Sequence, residues 1–97
     1  MCGAPKQGGA LAGVDLSTQP VIQGQVWHDG APVAGAYVRL LDATDEFTAE
    51  VVTSPEGEFR FFAAPGEWKV RSLAPVGRGE KTLSAEVGLN ETTVVIE

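Results

Sequence analysis

Cys2 is the single thiol of this chain and the one residue whose type suggests nucleophilic sulfur chemistry. The thiolate is the nucleophilic form, and the positive charge of Lys6 favours that form modestly. Removal of Met1 would leave Cys2 as the N-terminal residue. Covalent catalysis also asks for a neighbouring base or second cysteine, and the sequence places neither beside it. Cys2 therefore reads either as an accessible sulfur nucleophile or as a free thiol without a role. His28, the single histidine, adjoins Asp29, which could orient an imidazole. No nucleophile lies near the pair, which reads as part of a turn. Asp42, Asp45 and Glu46 could together hold a hard cation. They lack the alternating ligands and the glycine of a calcium loop, so they read as a solvated acidic connection, and no metal site is expected.

A Gly-rich phosphate loop, a Ser-His-Asp arrangement and paired metal ligands are all missing from the sequence. The expectation is a non-enzymatic protein without a cofactor. At 97 residues the chain fits one small domain. Its formal charge of -6 argues against nucleic acid or an anionic membrane as partner. One cysteine cannot form an intrachain disulfide, and a lone unpaired thiol agrees with a reducing compartment. No apolar run approaches the roughly 18 residues of a membrane span, and the N-terminus lacks the apolar core of a signal peptide. Cytoplasmic placement is the resulting expectation.

Residues 1–19 are rich in Gly and Ala, show no periodicity and read as a flexible N-terminal arm. The arm balances Lys6 against Asp15, so the whole negative charge belongs to residues 20–97. From Pro20 onward, apolar and polar residues alternate with the period of a strand. Ile22, Gly24 and Val26 open the series, and His28-Asp29-Gly30-Ala31-Pro32 supplies turn chemistry. Ala36, Val38 and Leu40 share one face of the next segment, opposite Tyr37, Arg39 and Leu41. Further strands are expected over Phe47 to Thr53, Glu58 to Phe62, Glu67 to Leu73, Lys81 to Val87 and Thr92 to Ile96. Between two of them Ser54-Pro55-Glu56-Gly57 forms a tight turn. Seven short strands with a turn about every ten residues predict a seven-stranded antiparallel β-sandwich over residues 20–97. Its expected core is Ile22, Val26, Val38, Leu40, Val51, Phe59, Phe61, Trp68, Val70, Val94 and Ile96. By the same alternation Trp27, Tyr37, Leu41 and Phe62 point outward. Such a set could stack on sugar rings, but it fits a protein interface better, including a homodimer.

The run Ile22-x-Gly24-x-Val26, then Asp29-Gly30-x-Pro32-Val33-x-Gly35-Ala36-x-Val38-x-Leu40, then Gly57-x-Phe59-x-Phe61 and Pro65-Gly66-x-Trp68-x-Val70 resembles the carboxypeptidase regulatory-like, or transthyretin-like (prealbumin), β-sandwich domains. That resemblance implies that the first two strands lie in opposite sheets, joined by a crossing at Gly30–Gly35. A simple hairpin, with Val26 facing Val38, is the local alternative. It also implies accessory, adhesion or carbohydrate-binding-like roles. Over the whole chain, the start Met1-Cys2-Gly3-Ala4-Pro5-Lys6-Gln7-Gly8, the stretch Val38 to Asp42, the stretch Asp45 to Val52 and the stretch Phe59 to Gly66 are similar to a small actinobacterial family of unknown function. Its members are encoded beside thiosulfate sulfurtransferases and labelled as sulfur-metabolism proteins. The resemblance implies a cytoplasmic accessory protein whose partner is a thiosulfate sulfurtransferase and whose Cys2 could accept sulfur. A generic β-sandwich interaction module is the other reading.

Overall fold

A computed structural model describes residues 19–96 as two packed β-sheets. The strands are β1 (Pro20–His28), β2 (Ala31–Pro32), β3 (Tyr37–Leu41), β4 (Phe47–Val52), β5 (Glu58–Phe62), β6 (Gly66–Ala74), β7 (Gly77–Ala85) and β8 (Gly88–Val95). One sheet runs β4-β3-β6-β7, all antiparallel. In the other, β1 pairs antiparallel with β2 and β5 and parallel with β8. The all-β sandwich is as expected. The eighth strand is the two-residue β2, β7 and β8 begin four residues earlier than alternation suggests, and the β1–β8 pair departs from an all-antiparallel arrangement. The expected arm, and Cys2 with it, lies outside the described residues apart from Gln19.

The first two long strands lie in opposite sheets, as the crossing expectation had it, and the hairpin with Val26 facing Val38 does not form. Asp29 and Gly30 both take positive φ, 51° and 78°, as a tight two-residue hairpin requires, and His28 pairs with Ala31 across it. So β1 does turn back on itself, but onto β2 rather than β3. The chain then crosses at Val33–Ala36 and enters β3 in the opposite sheet. Thr53, at the end of β4, clasps this crossing. Its buried hydroxyl accepts from the Ala36 amide at 2.8 Å and donates to the Val33 carbonyl at 2.7 Å. Its backbone amide donates to the Ala36 carbonyl at 2.9 Å. A crossing segment has no ladder partner, and these bonds satisfy the polar groups it buries.

Every residue of the expected core packs between the sheets, with Trp68 at its margin and the Phe59 and Phe61 ring centroids 6.0 Å apart. Ala36 and Ala85 join it. Leu41 is a correction: alternation turns it outward, yet it is buried, with 5% of its surface exposed. The register of β3 on β4 slips between Leu40 and Leu41, and a bulge there breaks the period of two.

Strand β8 is seated by two glycines. A Cβ on Gly24 of β1 would overlap the Thr92 carbonyl, and one on Gly79 of β7 would overlap the Val95 carbonyl. Both contacts are with backbone, which cannot swing aside. Gly35 is different: its φ is +72° but nothing lies within 4 Å of a Cβ placed there. Urea unfolding should therefore separate the two kinds of glycine. Gly24→Ala is expected to cost about 3 kcal/mol or more, through overpacking. Gly35→Ala should cost only about 1 kcal/mol, through backbone strain. Equal losses would contradict the close approach at Gly24.

Candidate functional site

The described residues expose two sheet faces, and the registers decide what each presents. On the outer face of the β5-β1-β8 sheet, side chains fall into cross-strand rows. Phe62, Val21 and Leu89 form the first row, Arg60, Gln23 and Glu91 the second, and Glu58, Gln25 and Thr93 the third. Trp27 and Val95 end the face. The middle of the face is polar: the Arg60 Nε donates to Gln23 Oε1 at 2.9 Å. The first row is apolar, with Phe62 61% and Leu89 40% exposed on either side of a fully buried Val21. Val87, also exposed, lies immediately before β8. Gln19, where the described chain begins, adjoins this row and accepts the Gly88 amide at its carbonyl at 3.1 Å.

Asn90 fixes the turn that carries Val87 and Leu89. Its side-chain Nδ2 donates to the carbonyls of Val21, Glu86 and Gly88 at 3.1, 2.8 and 3.2 Å, and its Oδ1 accepts from the Glu86 amide at 3.1 Å. One amide side chain thus ties the β7–β8 turn to β1. The sequence shows Gly88-Leu-Asn90 only as turn chemistry and gives no sign of the reach to Val21.

The outer face of the other sheet carries a charged row, Glu50–Arg39–Arg71–Glu80, drawn from all four strands. Beside it lies the row Val52–Tyr37–Leu73–Arg78. Arg39 Nε meets Glu50 Oε2 at 2.7 Å, and Arg71 Nε meets Glu80 Oε2 at 3.2 Å. Both pairs lie on the solvent face, with Glu50 half-buried, so each contributes little to stability.

The four expected interface residues do not form one patch. Trp27 and Phe62 share the β1 sheet but stand at its two ends, about 20 Å apart along a strand rising 3.3 Å per residue. Trp27 is half-buried and donates its indole N–H to Gln25 Oε1 at 3.3 Å. Tyr37 is exposed on the opposite sheet, and Leu41 belongs to the buried set. His28 keeps a structural place. Its Nδ1 lies 3.0 Å from the Ile96 carbonyl, which can only accept, so the ring holds that proton. The acidic loop is likewise occupied. Asp42 Oδ1 accepts from the Thr44 amide, the Thr44 hydroxyl and the Glu46 amide at 2.8, 2.6 and 3.0 Å, while Asp45 pairs with Lys69 at 2.7 Å. Among the described residues no three His, Cys, Asp or Glu side chains gather as a metal site. Among the described residues no helix is long and apolar enough to cross a membrane.

The family model for proteins of unknown function called DUF1416 matches residues 2–96. The chain belongs to that family. Among its relatives are two uncharacterised proteins of Mycobacterium tuberculosis H37Rv, Rv0814c and Rv3118. Each is 52% identical to this chain, with 99% of both chains covered. An uncharacterised protein of Mycolicibacterium smegmatis is 53% identical, covering 88% of this chain and 97% of its own. Solved structures share the sandwich at 14% identity. A DUF3823 family protein of Parabacteroides merdae has a TM-score of 0.67 over 82% of this chain and 46% of its own. Catechol 1,2-dioxygenase of Pseudomonas arvilla C-1 has 0.60 over 98% and 58%. The dioxygenase domain of a dioxygenase carbohydrate-binding protein fusion from Streptomyces sp. SirexAA-E has 0.56 over 97% and 89%. At that identity the DUF1416 chain shares their fold alone.

Hydrogen bonds from Thr44 and then Glu46 stabilise the charged form of Asp42 and hold its carboxyl below the ordinary aspartate range. The folded value is the lower one, so the stability it contributes is present above the unfolded value and is lost as pH falls through the folded value. Carboxyl titration by NMR should find Asp42 below the ordinary aspartate range, and Asp42→Ala should remove exchange protection at the Thr44 and Glu46 amides. An Asp42 titrating in the ordinary range would contradict the loop geometry.

Proposed function

We propose that this DUF1416 protein is a non-enzymatic accessory protein of cytoplasmic sulfur metabolism that docks on a thiosulfate sulfurtransferase through the apolar row whose exposed members are Phe62 and Leu89. The supporting observation is that row's placement. Its exposed members, Phe62 and Leu89, border the polar middle of the sheet face at the end that adjoins Gln19, where the segment bearing Cys2 joins the sandwich; the exposed Val95 stands at the opposite end. Exposed apolar groups framed by polar ones are the usual core of a protein interface. The chain between Cys2 and Gln19 spans at most about 60 Å when fully extended, which sets the greatest distance from the row at which a partner's active site could meet the thiol.

The chemistry asked of Cys2 is an exchange that needs no outside oxidant. The Cys2 thiolate attacks the outer sulfur of a persulfide on the partner's cysteine. The new sulfur–sulfur bond forms on Cys2 as the old one breaks, and the partner's cysteine leaves as a thiolate. The sandwich supplies the docking surface, and Cys2 supplies the acceptor. Carbohydrate binding has no such support, since Trp27, Tyr37 and Phe62 stand apart rather than on one platform.

Incubation with the sulfurtransferase and thiosulfate, followed by intact mass measurement, tests both parts. The expected result is a gain of one sulfur atom that is absent in Cys2→Ser and strongly slowed in Phe62→Ser/Leu89→Ser. That double variant changes exposed side chains only and should unfold at nearly the same urea concentration. A sulfur adduct independent of Cys2, or none, would remove the acceptor role. Undiminished complex formation by the double variant would remove the docking surface.

A further inference from the structure

The outer face of the β4-β3-β6-β7 sheet concentrates cations in an acidic chain. Arg39, Lys69, Arg71 and Arg78, four of the six Lys and Arg residues in 20–97, project from it. Lys69 is paired with Asp45 at the far side. Arg39 and Arg71 are direct cross-strand partners, an arrangement that places like charges about 5 Å apart at their Cβ atoms and disfavours the sheet. Glu50 and Glu80 flank them and each engages one Nε. No other side-chain hydrogen bond of either guanidinium forms among the described residues, so their terminal amino groups are uncommitted. Arg78 stands in the adjoining row opposite Leu73, and its side chain has no ion pair or hydrogen bond among the described residues.

Arg39, Arg71 and Arg78 line a surface depression of about 540 Å³, together with Leu73, Gly79 and Glu80. That volume lies within the range of small-ligand sites, roughly 300–1,000 Å³. Among the described residues, three guanidiniums against two carboxylates leave one positive charge without a counterpart, which a monoanion would balance. Guanidinium forks match a carboxylate in a planar, two-pronged geometry. The neighbouring Tyr37 and Leu73 side chains offer an apolar surface for a hydrocarbon or aromatic body.

We propose that this depression binds a small organic carboxylate, its carboxylate held by Arg39, Arg71 and Arg78 and its apolar body laid on Leu73 and Tyr37. The site is on the opposite sheet from the Phe62–Leu89 row and stands independently of the docking proposal. Its occupant is an organic acid rather than an inorganic anion, because a bare oxyanion leaves the apolar row uncovered.

Titrations of the isotope-labelled protein with benzoate, benzamide and sulfate at matched ionic strength test the proposal by NMR. Benzoate should produce saturable shifts at the Nε–Hε signals of Arg39, Arg71 and Arg78 and at the Leu73 and Gly79 amides. Benzamide, the neutral counterpart, and sulfate, the bare anion, should each bind at least about tenfold more weakly. Arg78→Gln should weaken benzoate by about tenfold while leaving the remaining spectrum in place. Failure of benzoate to saturate overturns the site. So does a response to benzamide or sulfate equal to that of benzoate, or an Arg78→Gln protein with unchanged affinity.

Discussion

Strand β8 holds the sandwich closed, and it can do so only because two glycines let it approach. It pairs parallel with β1 along eight residues while its carbonyls at Thr92 and Val95 come against Gly24 of one sheet and Gly79 of the other. Any side chain at either glycine would meet backbone. The last strand is thereby wedged between the first strand of its own sheet and the edge strand of the opposite one. Both outer faces inherit their geometry from that wedge. It sets Leu89 beside Val21 and Phe62 on one sheet. It also seats β7, which carries Arg78 and Glu80 beside Arg71 on the other.

Polar side chains complete what the strands begin. Thr53 satisfies the crossing between the sheets, and Asn90 ties the β7–β8 turn to β1. Buried or half-buried polar groups of this kind are costly when unpaired, so each acts as a positional lock rather than as a candidate catalyst. His28 and Asp42 have the same character: His28 ties the end of β1 to the Ile96 carbonyl far along the chain, and Asp42 holds its own loop. Among the described residues, the exposed groups left for a partner lie on the two sheet faces, one apolar at its ends and the other cationic at its centre.

Much of this architecture was legible in the residues. The alternation from Glu67 to Leu73 marks its strand and its facing, and Pro55 with Gly57 marks the turn before β5. Leu41 escaped because facing by alternation assumes an unbroken pleat, and a bulge between Leu40 and Leu41 breaks it. The parallel pairing of β1 with β8 escaped because register between the two ends of a chain leaves no local trace. For the same reason Arg39 and Arg71 look like unrelated surface cations in the sequence and become neighbours only through the β3–β6 register. Gly24 sits where a strand would tolerate many residues, and only the position of Thr92 reveals why it has no side chain.

The central functional claim is the location of the partner surface, and amide hydrogen exchange tests it most directly. The protein would be measured alone and in the presence of a thiosulfate sulfurtransferase. Added protection confined to residues 20–22, 60–62 and 87–90, with the β4-β3-β6-β7 sheet unchanged, is the predicted result. Protection centred on Arg39, Arg71 and Arg78, or no added protection anywhere in the sandwich, would contradict the account.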